Sequence, residues 1–165
     1  MKNRSINMLI VATILFTLLA IMLLFFLMDA DRSFEGDITV NEYGVTETVI
    51  PIRDLTLTPG VQKDYDVNVF CKATGSYHVT IDYEEKVNGG MKYFVNVRIL
   101  ADGEQIYQGP LTELIDNELT LIFDAELDDK RPTILTFIYE MPVETGNEAQ
   151  GAFSDFDITV KIKKN

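Results

Sequence analysis

The sequence predicts an all-β protein: an antiparallel jelly-roll-like β-sandwich preceded by one N-terminal transmembrane or signal-anchor helix. Three observations carry this. Residues 8–28 run for 21 positions without a charge. Beyond them apolar and polar residues alternate with period two. Turn-forming pairs such as Asn-Gly and Asp-Gly separate the alternating runs.

The apolar run comes first in the chain. At 1.5 Å per residue it makes a helix of roughly 31 Å, enough to cross a bilayer. Lys2 and Arg4 precede it and Asp29 and Asp31 follow. That order of charge directs the N-terminus to the cytoplasm and the remainder outside. The run is either a retained anchor or a cleaved signal. Its length favours the anchor, and bulky Met28 before Ala30 makes a poor cleavage site. The expected organisation is therefore 1–28 as cytoplasmic tip and membrane helix, 29–48 as a linker or exchangeable strand, and 49–165 as the extracellular sandwich.

Each strand reads from its own alternation. Ile50 to Leu57 opens the sandwich. In "KDYDVNVFCKA" Tyr65, Val67, Val69 and Cys71 share one face, so Cys71 is a small core residue. "SYHVTIDYEE" puts Tyr77, Val79, Ile81 and Tyr83 inward and His78 outward. "NGG" at Asn88–Gly90 then predicts a hairpin, followed by "KYFVNVRIL" with Tyr93, Val95, Val97 and Ile99 inward. Asp102-Gly103 predicts a second hairpin. "LTELIDN" is a helical turn or a loop. "ELTLIFDAEL" is a strand through Leu119, Leu121 and Phe123. "TILTFIYEM" is apolar on both faces, with Leu135, Phe137, Tyr139 and Met141 opposite Ile134 and Ile138, as for a central strand under a covering segment. "GNEAQG" turns the chain into a last strand with Phe156, Ile158, Val160 and Ile162 inward. Seven to nine strands at this spacing fit a sandwich or jelly roll.

Charge excludes some functions. The first 28 residues hold two of the 14 basic residues and none of the 26 acidic ones, leaving the remainder at net −14. Such a field repels phosphate backbones, so nucleic acid is not an expected partner. The single cysteine, Cys71, allows no internal disulfide.

No catalytic constellation is legible. There is one histidine, His78, and no H-E-x-x-H, nucleophile elbow, phosphate loop or dinucleotide fingerprint. Asp124, Glu126, Asp128 and Asp129 are spaced like calcium ligands, but without the glycine and terminal glutamate of a calcium loop they read as a charged strand end. Glu84 and Glu85 beside Lys86 read as a solvated shoulder. Tyr77, Tyr83, Tyr93 and Tyr107 at strand spacing read as core or cross-strand pairs rather than a sugar platform. No catalytic, cofactor-binding or metal-binding residue is therefore assigned.

Three motifs, in order, carry a family resemblance: "LTLTPGVQKDYDVNVF" at 55–70, "DGEQIYQGPLTEL" at 102–114, and "MP", "GNEAQG" and "FDITVKI" between 141 and 162. In this the chain resembles the TasA/camelysin family of exported bacterial β-sandwich proteins of biofilm matrix and spore-coat-associated material. The resemblance implies a jelly-roll-like sandwich, export, and assembly into extracellular fibres. The chain departs from the family in its longer apolar front. Some camelysin-like relatives are classed as metallopeptidases, an activity that a single histidine does not support. The expected function is a non-enzymatic structural protein of the cell surface or matrix, self-associating through residues 29–45. The alternative is a surface sandwich anchored in the membrane through 8–28 that binds a protein or glycan partner.

Overall fold

A computed structural model describes residues 36–165. The apolar run at 8–28, with the helix expected there, lies outside the described residues. Among the described residues no helix is long and apolar enough to cross a membrane.

Among the described residues nine strands build two sheets. They are β1 (Gly36–Val40), β2 (Val45–Leu55), β3 (Gln62–Cys71), β4 (Gly75–Gly89), β5 (Asn96–Ala101), β6 (Glu104–Pro110), β7 (Leu121–Leu127), β8 (Thr133–Glu140) and β9 (Phe153–Lys164), with one short helix, α1 (Leu111–Ile115), between β6 and β7. One sheet has the order β1-β3-β8-β5-β6 and the other β2-β9-β4-β7. Every connection except the β5–β6 hairpin passes from one sheet to the other. Strands β2 to β9 thus follow the connectivity of an eight-stranded jelly roll.

The alternation works as the sequence implies. Tyr77, Val79, Ile81 and Tyr83 of β4 and Phe156, Ile158, Val160 and Ile162 of β9 are buried between the sheets. Facing them are Val67 and Val69 of β3, Val97 and Ile99 of β5, and Leu135, Phe137 and Tyr139 of β8. Cys71 is buried among them. Asp102 and Gly103 both take positive φ, 48° and 82°, making the tight turn between β5 and β6. "LTELIDN" resolves as α1, which buries Leu111, Leu114 and Ile115.

Several expectations are corrected. The sandwich begins before residue 49, because β1 and the first residues of β2 already belong to it. β1 pairs in parallel with β3, so the sheets are antiparallel in every pair but that one. Asn88–Gly90 makes no hairpin, since β4 and β5 lie in different sheets. Gly90, at φ 88°, instead starts a 3-10 turn, Met91–Phe94, that carries the chain across. Tyr93 sits in that turn and is 61% exposed, while Met91 and Lys92 take the inward positions. Leu119 precedes β7 and is exposed. β8 is central, but on its outer face only Ile138 is buried and Ile134 is exposed.

Candidate functional site

Two places in the fold are the main candidate sites. The first is the seat of β1. Among the described residues its five residues are paired on one side only, Gly36 with Val67 through Val40 with Cys71. Ile38 and Val40 enter the core and are 2% and 1% exposed. Asn68 Nδ2 donates to Asp37 Oδ1 at 3.1 Å, which fixes the register from outside. An exposed link, Asn41–Gly44, joins β1 to β2, with Gly44 at φ 88° and Tyr43 pointing into solvent. The Asn41 N–H donates to Thr46 Oγ1 across this link.

The second is a cleft of about 700 Å³ between the β2–β3 and β8–β9 connections. A β-bulge in β2 between Ile52 and Leu55 shapes one wall. There Asp54 adopts φ 49°, left-handed for a non-glycine residue, and its N–H donates to Asp155 Oδ1 at 2.8 Å. Arg53 locks the bulge by donating to Asp157 Oδ1 at 2.6 Å and to the Ile52 and Phe156 carbonyls at 3.0 Å. Leu57 and Ala149, both buried, line the cleft together with Asn147, Gln150 and Phe153. The 3-10 turn Asn147–Ala149 sits in the "GNEAQG" stretch. Nothing in either segment alone marks the site, because two loops about ninety positions apart in sequence make it.

The residues weighed for chemistry are not brought together. His78 lies on the outer face of β4, its Nδ1 3.0 Å from Asp124 Oδ1, whereas Cys71 faces inward from the other sheet. Asp124 is held below the usual carboxyl range by hydrogen bonds from His78 and then Asn165. Asp128 Oδ1 accepts from the Lys130 N–H and Asp129 Oδ1 from Thr74 Oγ1, so these carboxylates organise a turn. Glu84 pairs with Lys86 and Glu85 with Lys92. The four tyrosines form no common surface: Tyr77 and Tyr83 are buried, Tyr93 is exposed, and half-buried Tyr107 bonds Glu113. Among the described residues no three His, Cys, Asp or Glu side chains are placed to hold a metal ion.

An acidic recess of about 560 Å³ beside α1 includes Asp82, Glu85, Asp116 and Glu118. Two of these carboxylates are engaged by Lys92, and Asp82 accepts from Thr120 Oγ1.

No family model matches the sequence, and no curated protein matches it. Among solved structures the chain is similar to FLHE, at 14% identity and TM-score 0.43 over 74% of this chain and all of that one. It is also similar to PliG, a periplasmic inhibitor of g-type lysozyme from Aeromonas hydrophila, at 12% identity and TM-score 0.37, over 80% of this chain and all of that one. A family 35 carbohydrate-binding module from an environmental isolate matches at 15% identity and TM-score 0.37, over 68% of this chain and 75% of that one. Likeness at this level does not extend to function.

Proposed function

We propose that the chain is a non-enzymatic structural protein of a bacterial cell surface or extracellular matrix, assembling by strand addition through residues 29–45. The observation that carries this reading is the seat of β1. A strand bonded on one edge by five residues, in the slightly weaker parallel arrangement, is the easiest of the nine to lift out. Its seat does not tolerate vacancy. Burying Ile38 and Val40 stabilises the domain by roughly 1.5–3 kcal/mol each, and withdrawal opens a cavity beside Val69 and Cys71. The same segment of a neighbouring copy restores every lost contact, which makes exchange cheap and permits head-to-tail growth. If residues 8–28 are retained they hold the sandwich at the membrane; if they are removed the domain is released and segment 29–45 is free to reach a neighbour.

The register supplies the test. Val40 is the partner of Cys71, the sole cysteine, so a Val40→Cys variant of residues 29–165 reports which copy donates β1. Oxidation of a concentrated sample gives a ladder of multimers that reductant collapses, and electron microscopy shows fibres. Intramolecular disulfides alone at every concentration, with monomers on the grid, would sink the proposal.

A further inference from the structure

We infer that the cleft under Phe153 is a saccharide site that takes an uncharged glycan. This stands apart from assembly through β1, which involves different residues. At about 700 Å³ the space falls within the range of small-molecule sites.

The lining selects the ligand chemistry. Asn147 and Gln150, both exposed, bring amides that donate and accept at once, and Asp54 brings a carboxylate that accepts from two donors. Adjacent hydroxyls on a sugar ring match those groups. Pro59 and Ala152, both accessible, offer an apolar surface for the ring carbons above buried Leu57 and Ala149. Phe153, 37% exposed, adds an aromatic ring whose electron-rich face suits the C–H side of a sugar.

That ring is fixed in advance. Gly89 lies against it so closely that a Cβ there would sit 2.5 Å from Phe153 Cδ1. The bulge likewise holds Asp54 in a strained left-handed conformation beside the cleft. A platform and a backbone both set before binding reduce the cost of ordering them around a ligand.

Charge argues against other ligands. Among the described residues no lysine or arginine lines the cleft, and Arg53, next to Asp54 in the chain, is committed to Asp157 and two carbonyls. A phosphate or uronate would meet Asp54 with no counter-charge. A peptide strand would need an open ladder, but most of the lining lies in loops and turns outside the strands.

Calorimetry on the full chain in mild detergent tests this with cellohexaose, xylohexaose, maltohexaose and mannohexaose. Hexagalacturonate and a Lys/Leu peptide serve as counter-probes. At least one neutral oligosaccharide should bind saturably. Asn147→Ala and Gln150→Ala should each weaken it about tenfold, the loss of one good hydrogen bond, without moving the thermal midpoint. Phe153→Ala should abolish binding while Phe153→Tyr retains it. No saturable binding of any neutral probe at millimolar concentration overturns the inference. So does equal or tighter binding of either counter-probe, or affinity unchanged in all three alanine variants.

Discussion

The hydroxyls of Tyr83 and Tyr139 meet 3.1 Å apart inside the core, one reaching from β4 and the other from β8, so their hydrogen bond links the two sheets. Both rings pack near Phe156, with centroids 5.6 and 5.5 Å away, and Tyr65 sets its edge against Tyr139 at 5.6 Å. Burial raises both phenols well above their ordinary value, so they stay protonated. Tyr83→Phe should cost about 1–2 kcal/mol by leaving one hydroxyl unpaired. Tyr83→Phe with Tyr139→Phe should cost less than the two single losses added together. Urea unfolding of the four proteins in the cycle measures this coupling.

Lys92 is a buried cation whose side chain is 4% exposed. Its ammonium lies 2.8 Å from Glu85 Oε2 and 2.5 Å from Asp116 Oδ1. Burial pushes its pKa down, but the hydrogen bonds to Asp116 and Glu85 outweigh this and raise it above 10.5. Because the folded value is the higher, this stabilisation is complete below pH 10.5 and is lost as pH rises through the folded value. Lys92→Ala should destabilise by about 3 kcal/mol and flatten the alkaline arm of the stability–pH curve. Glu85→Gln should cost less, since Glu85 Oε1 is already buried without a partner among the described residues.

Asp157 gives the opposite limb. Burial raises its pKa, yet Arg53 and then Lys86 bring it below 3.8. With the folded value depressed, its contribution is present above pH 3.8 and disappears as pH falls through the folded value. Asp157→Asn should lower stability by about 1–2 kcal/mol at pH 7, and the difference from wild type should vanish in strong acid. Denaturation midpoints at pH 7 and pH 2 decide it.

The closing strand is indispensable. β9 runs between β2 and β4 and buries Phe156, Ile158, Val160 and Ile162 completely. Ile158→Ala should cost about 2–5 kcal/mol, and truncation after Gly151 should abolish the cooperative thermal transition. A truncated protein melting like the intact one would refute this placement.

Where one face of a strand is buried and the other wet, the sequence is easily read, as for β3, β4 and β9. Reading fails where the backbone stops being a strand without a change in composition. Extending the alternation of Val95, Val97 and Ile99 back to Tyr93 ignores the 3-10 turn that puts Lys92 inward. "NGG" has hairpin chemistry, but the partner of β4 is β9 rather than the next strand, and local residues do not encode that choice. β1 and the start of β2 resemble a linker because their outer positions carry Asp37, Thr39 and Glu47 and the inward side of β2 opens on Thr46 and Thr48, while only Ile38 and Val40 of β1 reach the core. The cleft was invisible for a different reason. Asp54, Asn147 and Phe153 have no periodic relation, and only the jelly-roll winding brings them to one place.

The two ends of the described chain also differ in how they would respond to pulling. β9 is clasped by β4 along all twelve of its residues and by β2 between Ser154 and Lys163, and Asn165 beyond it is fastened to Ser76 through backbone and side chain. β1 is clasped along five residues on one side. Under tension between its ends the domain therefore yields at the front, releasing roughly 16 Å of chain at 3.3 Å per residue while the barrel-like remainder stays shut. It behaves as a mechanical fuse whose weak link is also its proposed joint.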